Sequence, residues 1–302
     1  LQWALIFTSP VRCRLVFNGE PIKIAAMHIH SDNSGQHSIE LRQQALAWLC
    51  EPNARMKAEG VALLRQAWLA GQVKLDVGAE LTPVQMIPGR PDRPDLVSPL
   101  QVKRRAMNTP EGRAALIHAL AHIEFNAINL ALDAVWRFPD MPAKYYADWL
   151  LVAAEEALHF TMLSAHLNSL GHDYGDFNGH DSLWEMVAKT SDDVLARMAL
   201  VPRTMEARGL DASPPLRAKL AQAGDMAAAA ILDVLLRDEI GHVAIGNHWY
   251  GWLCDQRGLE PIATYAQLTV QYEAPKMRGP FNFPARKAAG FSEAELDLLA
   301  KV

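Results

Sequence analysis

One pattern occurs twice in this chain and constrains its fold more than any other feature: a lone Glu followed about 32 residues later by Glu-x-x-His. Glu124 precedes Glu156-Ala-Leu-His159 (156 − 124 = 32), and Glu206 precedes Glu239-Ile-Gly-His242 (239 − 206 = 33). On a helix, residues i and i+3 share a face, so each Glu-x-x-His aims a carboxylate and an imidazole at one point. Each Glu also interrupts an apolar stripe. Ile117, Leu120, Ala121, Ala127 and Ile128 share the face of Glu124, and Trp149, Val152, Ala153, Phe160 and Leu163 that of Glu156. Leu195, Met198, Ala199 and Pro202 precede Glu206, while Leu232, Leu235, Leu236, Val243 and Gly246 surround Glu239. The pattern predicts four helices packed with these faces inward.

Four carboxylates brought into one core destabilise it severely unless something neutralises them. Two divalent cations balance four negative charges while both histidines stay neutral. Carboxylate oxygens with one imidazole per metal suit iron or manganese better than copper or a structural zinc. The expected ligands are Glu124, Glu156, His159, Glu206, Glu239 and His242, with Glu156 and Glu239 bridging. The alternative is four core Glu residues paired with arginines.

The chain has 302 residues, half of them hydrophobic, enough to bury a large core. With 29 Lys+Arg against 34 Asp+Glu it is mildly acidic, which argues against general nucleic-acid binding. The densest basic cluster, Lys103, Arg104, Arg105 and Arg113, reads as a solvated charge run. Cys13, Cys50 and Cys254 form no C-x-x-C, so neither a disulfide framework nor a thiolate zinc site is expected. No stretch approaches the roughly 18 uninterrupted apolar residues of a membrane span, and no basic segment precedes the first apolar run. A cytoplasmic protein without a membrane partner is the expectation.

Four regions are expected. Residues 1–37 form an extension in which β-prone runs flank Asn18-Gly19, a hairpin-turn dipeptide. Residues 38–108 hold helices at 38–50 and 53–70 and a Pro-rich link from Pro83 to Pro99. Residues 109–258 hold the four ligand-bearing helices, and 259–302 a helical tail with helices at 261–273 and 292–301. Thr109-Pro110-Glu111 starts a helix over 110–137, and Asp140-Met-Pro142 opens one that Gly171 closes. Ser182-Leu-Trp-Glu185 and Ser292-Glu-Ala-Glu295 read as capping boxes, and Gly224-Asp225 opens a helix over 226–257 that Gly258 ends. The second and third ligand helices should run parallel, so their connection returns along the bundle. An uninterrupted helix from Ser182 to Glu206 would demand about 57 Å from an 11-residue loop that reaches at most about 40 Å. A break near Lys189–Ser191 is therefore predicted, with the third ligand helix over 191–208.

An acid precedes each motif, giving Glu155-Glu156-x-x-His159 and Asp238-Glu239-x-x-His242. This resembles the acid-Glu-x-x-His motifs of bacterial multicomponent di-iron mono-oxygenases. By that resemblance Asp238 would orient His159, and Glu155 would orient His242. Leu158 and Gly241 stand where that family has Arg, so its oxygenase chemistry does not simply transfer. From about residue 38 to the end, the chain resembles an uncharacterised bacterial family of ferritin-like proteins. The matching segments include Ser-Pro-Leu-Gln-Val-Lys (98–103), Ala-His-Ile-Glu-Phe (121–125), Ala-Glu-Glu-Ala-Leu-His-Phe (154–160), Ala-Arg-Met-Ala-Leu-Val-Pro-Arg (196–203) and Arg-Asp-Glu-Ile-Gly-His-Val-Ala (237–244). A more distant similarity links it to the di-iron hydroxylase of a modified tRNA adenosine. The resemblance implies an all-α, ferritin-like four-helix bundle with additional N- and C-terminal helices.

The expected function is that of an oxidoreductase with two Fe ions, or Mn as the alternative. It would use O2 or peroxide, with hydroxylation of a small molecule or modified nucleoside as the chemistry, an electron donor as partner and a homodimer as assembly. The rivals are a metal-binding structural or interaction protein without turnover and, third, a storage protein. His118 and His122 are an i, i+4 pair that could bind metal, but His122 lies about 200° around the helix from Glu124, and the pair reads as a second face or surface role. Pro202 is expected to kink its helix or bound it. Tyr145, Tyr146 and Tyr250 are candidate radical or hydrogen-bond participants, with core packing the commoner role of aromatic residues at helical spacing. The 171–181 loop, with His172, Tyr174 and His180, is a candidate cover, and 278–284 an ordered tail.

Overall fold

The computed structural model describes residues 37–103 and 105–301, together with Val16–Phe17, Glu20–Pro21 and His30–Ser31. The chain forms two compact units, residues 1–39 and 40–302. In the first, Val16–Phe17 pairs antiparallel with Glu20–Pro21, and His30–Ser31 with the start of a strand at His37–Glu40. The Asn18-Gly19 turn, the remainder of the 1–37 hairpin, Cys13 and Arg104 lie outside the described residues.

The second unit is mostly helical. Its helices are α1 (Leu41–Cys50), α2 (Ala54–Leu69), α3 (Pro110–Arg137), α4 (Ala143–Ser169), α5 (Ser182–Lys189), α6 (Val194–Leu200), α7 (Ala207–Gln222), α8 (Met226–Arg257), α9 (Pro261–Gln271), α10 (Phe283–Ala288) and α11 (Glu293–Leu299). A π-helical turn, Val201–Glu206, joins α6 to α7.

The long helices start and stop where their chemistry directs. Thr109 accepts from the Gly112 N–H at 3.0 Å and Pro110 occupies the first turn of α3, where its missing N–H costs nothing. Gly258 ends α8 at φ +64°. α3 packs along α4, α7 along α8, and α4 against α8, while α1 lies on α3 and α2 on α4. His166 near the end of α4 meets Asp225 at the start of α8 (3.0 Å), and Trp249 in α8 reaches back to Asp148 in α4 (3.1 Å), so α4 and α8 run antiparallel. α3 is long and apolar enough by composition to cross a bilayer, yet 72% of its most apolar stretch is buried by protein. It also carries buried His118, His122, Glu124 and Asp133.

Three cations staple the interior. Lys57, fully buried, donates to Leu49 O (3.2 Å), Gly89 O (2.9 Å) and Asn129 Oδ1. Burial pushes its ammonium down to about 7. Arg42 donates to the carbonyls of Val77 (2.9 Å), Ala79 (2.8 Å) and Trp136 (2.8 Å). Arg197 pairs with Asp133 of α3 and donates to Thr190 Oγ1 and Val187 O, joining the crossover helix α5 to α3 and α6.

Three expectations need correction. Ser182 and Glu185 form no capping box: Asp181 takes the cap position without a side-chain cap bond, its carboxylate lying 2.6 Å from Arg90. The break at Lys189 is present, but the third ligand helix does not end at 208. It continues as α7 to Gln222 through Pro214 and Pro215. Pro214 has no N–H for the Leu210 carbonyl, and Asn282 Nδ2 donates to that carbonyl instead at 3.1 Å. The 278–284 segment thus completes α7, helped by Asp211, which binds Arg286 and the Asn282 N–H. Finally, α10 is a helix the sequence reading did not anticipate. It packs with α11 on α7 and α8, where Ala285, Ala289, Phe291 and Leu296 meet Ala207, Leu210 and Val243.

Candidate metal centre

The two motifs face one another across α4 and α8. Glu156 stands between the imidazoles: its Oε2 lies 3.2 Å from His159 Nδ1 and its Oε1 3.0 Å from His242 Nδ1. Glu124 of α3 approaches His159 Nδ1 at 3.4 Å, and Glu239 approaches His242 Nδ1 at 3.7 Å. Ligand atoms of Glu124, Glu156, His159 and Glu239 all lie within 4.8 Å of one another. Glu206, the last residue of the π-helical turn, is 8% exposed and outside that tight group, with both carboxylate oxygens buried and unpartnered.

Each histidine is held from behind by the acid of the other motif. His159 Nε2 lies 3.1 Å from Asp238 Oδ2, and His242 Nε2 2.8 Å from Glu155 Oε2. With Nε2–H of each ring spent on these acids, it is the Nδ1 proton facing the carboxylates that must leave before Nδ1 can offer a lone pair. Asp238 is itself held by Arg237 at 2.7 Å.

Protein partners alone leave the cluster unsatisfied. Glu124 Oε2, Glu156 Oε1, Glu239 Oε2, both Glu206 oxygens and His242 Nδ1 are buried without a hydrogen bond. Glu156 Oε1 and His242 Nδ1 are near neighbours, yet not aligned as donor and acceptor. Among the described residues none of the four glutamates pairs with an arginine, so the arginine-paired core is not what this fold builds. Burial and then the neighbouring Glu156 charge push Glu124 well above the carboxylate range; burial and then Glu239 do the same to Glu206. Glu239 is raised by burial and Glu156. Burial opposes the charge on Glu156, but a hydrogen bond with Glu124 and the two imidazoles hold it well below the usual range. Burial also opposes charge on His159, which Glu124 and Glu156 nevertheless push up to about 11, and on His242, which Glu156, Glu155 and Glu239 raise well above the usual imidazole range.

The other candidates have different occupations. His118 and His122 occupy a second face of α3, and burial excludes the surface role. His118 Nε2 accepts from the Gly175 N–H (3.0 Å), and His122 contacts Tyr174 Oη (2.8 Å) and His180 O (3.1 Å), so both rings anchor the 171–181 loop. Burial pushes both down to about 4, keeping them neutral. A Cβ at Gly179 would stand 2.7 Å from His122 Nε2, so that loop needs glycine there. His122, Phe125, Asn126, Tyr174 and Arg90 line a cavity of about 360 Å³ that touches none of the six expected ligands. Tyr146 and Tyr250 spend their hydroxyls on Phe138 O (2.9 Å) and Pro261 O (2.7 Å). Arg105 is spent on Glu111 and the Phe177 ring. Cys50 and Cys254 are free thiols.

Sequence reasoning missed Arg203. It sits in the π-helical turn with its guanidinium 4.7 Å from the Tyr250 ring centre, 5.0 Å from Tyr265 and 5.1 Å from Phe291, paired with Glu295. An arginine directly after the apolar run Met-Ala-Leu-Val-Pro (198–202) was the available signal.

Comparison with known proteins gives a family but no activity. Residues 50–297 match a family described as "Protein of unknown function (DUF455)". An uncharacterised protein of Haemophilus influenzae is 48% identical over 237 residues, covering 76% of this chain and 82% of that protein. No solved structure matches.

Proposed function

The chain belongs to the DUF455 family, and for it we propose a dinuclear-metal oxidoreductase, with two iron ions held in a ferritin-like four-helix bundle. The bundle is formed by α3, α4, the π-interrupted α6–α7 rod and α8. Its support is the antiparallel α4–α8 pair and the long return connection through α5.

The observation that carries the reading is the set of buried, unpartnered ligand atoms converging from the two motifs. Such groups are strongly destabilising unless something binds them. His159 and His242 would each hold one metal through Nδ1, Glu156 would span the two, and Glu124, Glu239 and Glu206 would complete the set. When bound, iron supplies the reduction of O2 or peroxide. The residues do the rest. Asp238 and Glu155 fix the imidazole tautomers, and the apolar faces of α3 and α4 exclude water from the carboxylates.

The test is metal analysis of the native protein, followed by absorption spectra after O2 is added to the reduced form. About two iron ions per chain and a transient visible band are expected. Protein without iron or manganese sinks the proposal. A second reading, a structural metal site without turnover, rests on enclosure: Glu156, His159 and His242 are all 0% exposed. It predicts metal without spectral response.

A further inference from the structure

The two halves of the cluster are supported differently. Glu124, Glu156 and His159 ride on uninterrupted helices, α3 and α4. Glu206 ends a six-residue π-helical turn, where Pro202 lacks an N–H and the Ala207 N–H reaches back to Pro202 O. A π turn of this kind is not self-supporting, so something outside it must fix where Glu206 points.

That support is visible on two sides. On one, α8 comes so close that a Cβ on Gly246 would stand 2.5 Å from Pro202 Cβ. On the other, the C-terminal helices grip the two residues that follow the proline. Thr204 Oγ1 donates to Ala199 O (2.8 Å) and lies 2.8 Å from Tyr265 Oη of α9. Arg203 is enclosed by Tyr250, Tyr265 and Phe291 and paired with Glu295 of α11. A buried guanidinium held by three rings and a carboxylate has little freedom left. Glu295 is anchored in turn, accepting the Ser292 N–H at 2.8 Å in the capping box of α11.

We propose that α9 and α11, acting through Thr204 and Arg203, are a positioning device for Glu206, and so determine whether the metal position served by Glu206 and His242 is filled. This rests on the dinuclear reading. Arg203 and Tyr265 touch neither metal nor substrate; they set the π turn that presents the ligand. Support of this kind for a metal ligand is worth about 10–100-fold in affinity.

The experiment titrates metal into the full-length apoprotein, with Fe(II) and with Mn(II), for the wild type, Arg203→Lys and Tyr265→Phe. Arg203→Lys keeps the charge and loses the planar stack; Tyr265→Phe removes only the hydroxyl on Thr204. Two binding steps are expected in the wild type. In each variant one step should weaken about 10-fold or more while the other is unchanged. Circular dichroism and thermal melting check the fold, and Tyr265→Phe remains informative if Arg203→Lys does not fold. Two wild-type steps in both variants, with or without a lower melting temperature, would overturn the proposal, as would equal weakening of both steps. A wild-type protein that binds no metal would instead sink the dinuclear reading itself.

Discussion

The α3–α4 half of the cluster and the α6–α8 half carry the same sequence motif and present it by different means. In the first, Glu124, Glu156 and His159 all ride on regular helices, so local periodicity sets the face each is presented from. In the second, Glu239 and His242 sit on a regular helix, but Glu206 hangs on a π turn held by residues 61 and 92 positions downstream of those they grip. Spacing along a helix specifies a ligand cheaply, whereas a ligand at an irregular turn requires long-range packing to specify it.

The comparison can be broken most severely at the residue the halves share. Glu156→Ala removes the carboxylate lying between both imidazoles, so both metal positions should empty, a loss well beyond about 100-fold measured by elemental analysis. One metal retained would mean that the halves are independent. Next is pH. Glu124, Glu206, Glu239, His159 and His242 all have raised pKa values, so near neutrality the apoprotein carries protons that must leave as metal enters. Metal affinity should therefore rise with pH from about 6 to 8, with protons released into weak buffer. An affinity independent of pH contradicts the assigned protonation.

A finer comparison separates the two histidine supports. The Asp238 side chain is 11% exposed and that of Glu155 34%. Asp238→Asn should weaken metal binding by about 10–100-fold, and Glu155→Gln by less, because water can replace the more exposed carboxylate. Equal effects would erase the distinction. The smallest effect is a contrast between two glycines on α8. Gly246→Ala drives a methyl into Pro202 and should cost about 1–3 kcal/mol. Gly241→Ala meets nothing within 4 Å and should stabilise by up to about 1 kcal/mol. Urea denaturation would separate them.

The contrast also explains what could be read in the sequence. α3 and α8 follow the predicted 110–137 and 226–257 because their caps are local: Thr109 with Pro110, Asp225, and Gly258. α7 runs past the expected end at 208 through Pro214 and Pro215, and the group that satisfies the helix there, Asn282, is 72 residues from Leu210. The Ser182 capping box failed for a related reason, since Arg90, 91 residues from Asp181, fixes the residue that takes the cap. Local chemistry was legible; a hydrogen bond closed by a distant segment was not. For the cluster, the acid before each motif singled out Glu155 and Asp238, and the resemblance to the di-iron mono-oxygenase motifs implied which histidine each one meets. Pro202 signalled an irregularity before Glu206 but not its form, because a change of helical pitch leaves no mark on an apolar stripe that ends there.

The exchange of acids between α4 and α8 has a consequence for assembly of the chain. Because each helix supplies an imidazole and the carboxylate for the other's imidazole, the pair of helices works like a two-pin plug. Sliding one helix by a turn, about 5.4 Å, would break both contacts together and strand two buried imidazoles without their acids. A misaligned pairing of these helices thus meets a penalty twice over, before any metal is bound.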